Sequence, residues 1–145
     1  MKVYIKGMAD AKVDKGVSAY ATMSGKRILS EGVREHKGVI KSKTLEYPIK
    51  EYGQQCQYLT ELWALNWAFT QLQNQKETVT VYTNSVAVCS WINKRECKDT
   101  YKDMFGIYLN LSANMEVKAE QVNVGDDTTL KRLRAQADIL LYLGK

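Results

Sequence analysis

The sequence predicts an α/β fold in which a five-stranded mixed sheet, built from three antiparallel hairpin strands plus two parallel strands, is flanked by helices. The order of elements is the main reason: three strand-like segments are followed by helix, strand, helix, helix, strand and helix. The size of the chain agrees with this fold, because 145 residues with 45% hydrophobic content can form one domain with its own core. We therefore predict a single domain over residues 1–145.

The first part of the chain has the alternation and the turn residues of hairpin-connected strands. Residues 2–8 (KVYIKGM) alternate apolar and polar side chains, and 17–22 and 28–34 have the composition of two further strands. Gly25 lies between the last two and suits a hairpin turn. The lysine-rich stretch 36–53, which contains the only proline, predicts a long connection.

The second part of the chain alternates helical and strand-like segments. Residues 57–73 predict a helix because four apolar side chains share one face. These side chains are Leu62, Leu65, Phe69 and Leu72. The elements that follow are a strand at 78–83, helices at 85–93 and 101–113, a strand at 116–122 and a helix at 129–142.

Composition restricts the classes of function. The net charge of +5, from 21 Lys and Arg against 16 Asp and Glu, suits a polyanionic partner. Three cysteines without CxxC spacing argue against a disulfide framework and against a zinc site. We find no apolar run of about 20 residues and no signal-peptide pattern, so we expect an intracellular protein with no membrane partner.

Four segments together point to a known family. VYIKGM at 3–8 is similar to a first strand that ends in Asp-Gly, and TELWALNWAF at 60–69 is similar to a helix that carries Glu-Leu. VTVYTNSVAVCSWI at 79–92 is similar to a strand-to-helix turn that contains Thr-Asp-Ser. EQVNVGDD at 120–127 and LRAQADILLYL at 133–143 are similar to a histidine-bearing loop and a final helix with Gln-Ala-Asp. In this order the segments resemble the ribonuclease H family, in particular its retroviral and retroelement branch, which implies the ribonuclease H-like fold.

The resemblance implies a site that has lost half of its carboxylates. The family cleaves the RNA strand of RNA/DNA hybrids with two divalent ions held by four carboxylates. At the matching positions this chain has Lys6, Glu61, Asn84 and Asp138, and Gly125 stands where the loop histidine is expected. The formal charge falls from minus four to minus one, so we expect no metal cofactor. Mg²⁺ or Mn²⁺ would act only if a rearranged site held it.

Our hypothesis is that Lys6 replaces the metal, with its ammonium between Glu61 and Asp138. Structural explanations stay open beside it. Lys6 could point into solvent from a strand face, and Glu61 suits the first turns of a helix electrostatically. Asp138 follows Arg134 by four residues, which is the spacing of a surface ion pair.

Other polar residues near these positions have alternative roles. Asn84 could cap the next helix and make Ser85 an early helical residue. The lone histidine, His36, lies in the lysine-rich connection, so we expect it to be solvent-exposed. Four further acids could rescue a metal site: Asp10, Asp14, Asp126 and Asp127.

Nucleic-acid binding can persist when catalysis is lost, because phosphate contacts depend on cationic side chains and backbone donors and not on the metals. Our candidate nucleic-acid-binding residues are Tyr58, Ser85, Lys94, Arg95 and Lys98. We therefore expect a noncatalytic ribonuclease H-like domain, retroelement-derived, that binds an RNA/DNA hybrid or other nucleic acid weakly, or a protein partner. The alternative is an active metal-dependent ribonuclease H with a rearranged site. A third hypothesis is a homodimer that uses Trp63 and Trp67, although both could be core residues, and we expect Trp91 to be core.

Overall fold

The computed structural model describes residues 1–72 and 77–143. Three 3₁₀ turns accompany the main elements, and a π-helical turn, Ile139–Leu143, extends the last helix. The elements are β1 (Lys2–Asp10), β2 (Lys15–Ser24), β3 (Arg27–Lys37), β4 (Val39–Lys41), β5 (Glu46–Pro48), α1 (Ile49–Tyr52), α2 (Cys56–Thr70), β6 (Val79–Thr83), α3 (Val86–Lys94), α4 (Lys102–Leu111), β7 (Val117–Gln121) and α5 (Thr128–Asp138).

The main sheet has the strand order β3-β2-β1-β6-β7. β1 and β3 both run antiparallel to β2, while β6 pairs in parallel with β1 and with β7. The β1–β6 register joins Lys2 to Thr80 and ends with Tyr4 opposite Tyr82. This topology confirms the predicted five-stranded mixed sheet, with three hairpin strands and two parallel joins.

Helices cover both faces of the sheet. On one face the side chains of Val3 and Ile5 enter the main core beneath α2, α3 and α4. On the other face Tyr4 packs with Leu130 and Leu133 of α5. Because side chains alternate along a strand, Lys6 follows Tyr4 onto the α5 face.

The connection between the third strand and the long helix is more ordered than the sequence suggested. β4 and β5 form a small antiparallel ladder in which Ile40 pairs with Tyr47, and both side chains are buried. The helix predicted over 57–73 begins at Cys56 and ends at Thr70, and Gln71 and Leu72 lie in a turn. Gln73, where the prediction ended, lies outside the described residues.

The expectation that His36 is solvent-exposed is wrong. β3 continues to Lys37, so alternation turns His36 inward and leaves it 7% exposed. Its imidazole meets the Ser18 hydroxyl at 2.9 Å and packs edge-on against Trp63. The sequence analysis ended this strand too early and so placed the histidine in a loop.

Helix α2 packs directly on the backbone of β1 because Gly7 has no side chain. A Cβ at Gly7 would lie 2.3 Å from the Glu61 backbone nitrogen and 2.7 Å from the Thr60 carbonyl carbon. At Gly16 of β2 a Cβ would lie 2.9 Å from Thr60 Cγ2. These close approaches place Glu61 beside Gly7 of β1.

Candidate functional site

The carboxylate of Glu61 is fully buried and bound at both oxygens. The Gly7 N–H donates to Oε2 at 2.6 Å, and the Thr83 hydroxyl donates to Oε1 at 2.6 Å. Glu61 thereby joins α2 to β1 and to the end of β6. It lies in the second turn of α2, so the electrostatic preference of a helix start does not by itself account for its position.

Lys6 is also buried, at 5% exposure, which excludes the solvent-facing alternative. Its Nζ donates to Asn84 Oδ1 at 3.2 Å and to the Gly7 carbonyl oxygen at 3.4 Å. These hydrogen bonds differ from our hypothesis, which put the ammonium between Glu61 and Asp138.

Burial shifts the pKa of both charged groups toward the neutral form. Loss of solvent lowers the pKa of Lys6, and Arg134 lowers it further, whereas Glu61 and Asp138 act in the opposite direction. Loss of solvent raises the pKa of Glu61 against the opposing effects of Lys6, Thr83 and Gly7. Neither charge is therefore fully compensated by its surroundings.

Asp138 lies at the end of α5 and is half-buried. In the described chain no ion pair joins it to Arg134, so the surface-pair explanation does not account for this residue. Its charge acts on Lys6 from a distance. Asn84 does not cap α3 either, because Ser85 is the N-cap and accepts from the Val88 N–H.

The residues present do not fit a pair of divalent ions. The position in the middle of β1 that would need a carboxylate holds the ammonium of Lys6, and this positive charge repels divalent cations. In residues 1–72 and 77–143 no three His, Cys, Asp or Glu side chains are grouped so that they could hold a metal.

The four acids considered as replacements have other surroundings. Asp10 accepts from the Lys12 N–H and from the Tyr142 hydroxyl. Asp127 is the N-cap of α5, and Asp126 lies in the preceding 3₁₀ turn. Asp14 lies in the turn after β1 with a positive φ of 54°.

A cavity of about 670 Å³ opens over Lys6. It contains two of the predicted site positions, Lys6 and Asn84, and two of the predicted nucleic-acid-binding residues, Tyr58 and Ser85. The lining consists of Lys6, Met8, Gln57, Tyr58, Asn84, Ser85, Val86, Ala87 and Arg134.

A second cavity, of about 490 Å³, shares Gln57 and Tyr58 with the first and extends to Lys98. Tyr58 is half-buried against Trp91 and Tyr101, with ring centroids 5.5 and 5.7 Å away. Trp91 is 9% exposed, in agreement with its predicted core position. The two cavities adjoin at the shared residues Gln57 and Tyr58, and together we call them the Tyr58 groove.

Two predicted residues lie apart from the Tyr58 groove. Lys94 is exposed at the end of α3, and Arg95 follows it in the left-handed conformation, with φ of 58°. Arg95 lines a different cavity, beside Phe105 and Leu109. Their positions in the sequence alone could not show that these two cations lie at a different place from Lys98.

The tryptophans of α2 border a further cavity of about 310 Å³, which residues of α4 also line. Trp63 donates to the Lys41 carbonyl oxygen at 3.0 Å, and Trp67 packs on Tyr20. Both are half-buried, so they are neither fully core nor free surface aromatics.

Sequence reasoning missed Gln57 and the role of Arg134. Gln57 donates to the Gly7 carbonyl oxygen and lines both cavities of the groove. Its position one turn before Glu61 on the same helix was the available signal. Arg134 was considered only as an ion-pair partner, whereas it lines the cavity over Lys6.

Comparison with solved structures identifies the fold. RNase H1 from the archaeon Halobacterium salinarum matches with a TM-score of 0.71 at 14% identity, over 97% of this chain and 96% of that one. The N-terminal RNase H domain of a Mycobacterium tuberculosis protein matches with 0.72 at 13% identity, over 99% and 97%. LC11 RNase H1, in complex with an RNA/DNA hybrid, matches with 0.68 at 15% identity, over 91% of each chain.

These matches give the chain a ribonuclease H-like fold. No family model and no curated protein sequence matches it. The described helices include none that is long and apolar enough to cross a membrane.

Proposed function

We propose that residues 1–145 form one noncatalytic ribonuclease H-like domain that binds nucleic acid in the Tyr58 groove. The observation that carries this proposal is the ammonium of Lys6, hydrogen-bonded to Asn84 where the fold's metal-binding carboxylates would stand. A positive charge at that point disfavours divalent cations and favours phosphate. The Gln-Ala-Asp sequence at 136–138 supports a retroelement origin.

Nucleic acid suits the groove by charge and by shape. Lys6, Lys98 and Arg134 line it, and the half-buried ring of Tyr58 lies between them. Cations that contact phosphates together with an aromatic platform are the elements of sequence-independent binding. A similar fold binds an RNA/DNA hybrid in the LC11 enzyme, which supports the hybrid as the first ligand to test.

Fluorescence polarisation with a labelled RNA/DNA hybrid tests this proposal. We expect Lys98→Gln to weaken binding and to reduce the slope of log K against log salt by about 1, because one phosphate contact is lost. We expect Tyr58→Ala to weaken binding about tenfold, through lost stacking. Lys26→Gln, in the exposed turn at the other end of the sheet, is the matched control and should bind like the wild type.

Equal affinity and equal salt slope for Lys98→Gln and Lys26→Gln would contradict the assignment of the groove. No binding of hybrid by the wild-type protein at low salt would contradict the function itself.

A protein partner or a second copy of the chain is the other candidate ligand. The half-buried rings of Trp63 and Trp67, with Met104 and Ile107 beside them, favour an apolar contact at that cavity. Sizing chromatography at low and high salt tests self-association. A dimer that persists at high salt and is lost in Trp67→Ala would support it.

A further inference from the structure

Lys6 carries a buried positive charge that has no carboxylate partner in hydrogen-bond contact. Its Nζ reaches only neutral oxygens, those of Asn84 and Gly7, and no ion pair involves it in the described chain. A buried charge is costly unless it is paired, and an ammonium has three N–H donors. At least one donor of Lys6 is therefore available to a ligand.

The cavity over Lys6 has an unbalanced charge. The guanidinium of Arg134 lines it together with Lys6, and none of its described lining residues is acidic. Glu61 is not among the lining residues, and its carboxylate oxygens accept from the Gly7 N–H and the Thr83 hydroxyl. An anion in this cavity would therefore meet two cations and no lining carboxylate.

The first turn of α3 adds backbone donors to the same cavity. Ser85 caps the helix by accepting from Val88, and the first backbone bond runs from the Cys89 N–H to the Ser85 carbonyl oxygen. The N–H groups of Val86 and Ala87 precede that bond and so have no partner within the helix. Both residues line the cavity, at the end of a nine-residue helix where negative charge is favoured.

We propose that this cavity binds a phosphate group directly and without metal, with the Lys6 ammonium as its central ligand. Arg134 and the N–H groups of Val86 and Ala87 complete the contacts. The proposal rests on the proposed function for the source of the phosphate, which we take to be the backbone of a nucleic acid. Lys6 then supplies the positive charge that bound cations would otherwise bring to a phosphate at this place.

Amide chemical shifts of ¹⁵N-labelled protein in a chelator test the site. Inorganic phosphate and a nucleoside monophosphate are titrated separately. We expect saturable shifts at Gly7, Val86 and Ala87 in the wild type. In Lys6→Met we expect affinity for inorganic phosphate to fall about tenfold or more, as for a lost hydrogen bond to a charged group.

Two further variants make the result interpretable. Arg134→Gln changes an exposed side chain, so it should fold normally and weaken phosphate binding several-fold even if Lys6→Met does not fold. Lys26→Gln, in the exposed turn between β2 and β3, should keep the wild-type phosphate affinity. Unchanged phosphate affinity in both Lys6→Met and Arg134→Gln would overturn the proposal, as would shifts that do not saturate.

Competition with the RNA/DNA hybrid separates this inference from the proposed function. Displacement of phosphate by hybrid identifies the nucleic-acid backbone as the source and supports both. Phosphate binding at Lys6 without any hybrid binding would contradict the proposed function. It would show that the site binds free phosphate compounds instead. Hybrid binding that is equal in Lys6→Met and wild type, with no phosphate shifts at Gly7, would overturn the inference alone.

Discussion

Acid should destabilise the folded protein by protonating the buried His36. The Ser18 hydroxyl donates to the Thr60 carbonyl oxygen at 2.7 Å, so in its 2.9 Å contact with His36 it must accept from Nε2–H. Burial, together with the nearby Arg34, lowers the pKa of His36 from 6.5 to about 4. The stability contributed by the neutral ring is thus present above pH 6.5 and lost as pH falls through about 4.

The pKa of His36 sets the magnitude. Each pH unit between the unfolded and folded pKa values corresponds to about 1.36 kcal/mol, so the loss reaches roughly 3 kcal/mol near pH 4. His36→Gln retains an amide donor for Ser18 but cannot become charged.

Urea unfolding of wild type and His36→Gln at about pH 7.5 and about pH 4 measures the effect. Titrating carboxylates are common to both proteins and cancel in the difference. The stability difference should move by roughly 3 kcal/mol in favour of the variant on acidification. A difference that stays constant within about 0.5 kcal/mol would refute the account of a buried neutral histidine.

Two further predictions concern Lys6 and Gly7 of β1. The double variant Lys6→Asp, Asn84→Asp should bind Mn²⁺ or Mg²⁺, because it places two more carboxylates beside Glu61. Calorimetric titration measures this binding. No binding would show that our assignment of the site is wrong. Gly7→Ala should lower the free energy of unfolding by about 3 kcal/mol, since its Cβ would overlap the backbone of α2. Gly125→Ala, with no atom within 4 Å of its Cβ, is the control and should change stability by less than about 0.5 kcal/mol; equal effects of the two substitutions would contradict the close packing of α2.

Most of the fold could be predicted because the local signals agree with one another. Alternation along 2–8 and the β-branched run at 78–83 match β1 and β6, and the apolar stripe of 57–73 matches the buried face of α2. The short ladder of β4 and β5 was missed since its stability comes from burying Ile40 and Tyr47 against the rest of the protein. Tertiary burial of this kind leaves little trace in a window of three residues.

The candidate site could be predicted less completely. Motifs predicted the four positions; in the structure Lys6 contacts Asn84 directly, and the N–H of the neighbouring Gly7 donates to Glu61. The hydrogen-bond partners of Lys6 could not be derived from the sequence. They depend on how the folded chain places the Gly7 N–H and the Thr83 hydroxyl, which donate to Glu61. Surface cations such as Arg95 were indistinguishable in sequence from those in the groove, since a change of backbone direction after α3 separates them.

One measurement tests the central claim most directly. A labelled RNA/DNA hybrid is incubated with the protein over a range of Mg²⁺ and Mn²⁺ and in a chelator, with polarisation and cleavage recorded on the same samples. We predict binding that persists in the chelator and no cleavage at any metal concentration. Metal-dependent cleavage that is abolished by Glu61→Gln would contradict the claim and show that other groups complete an active site.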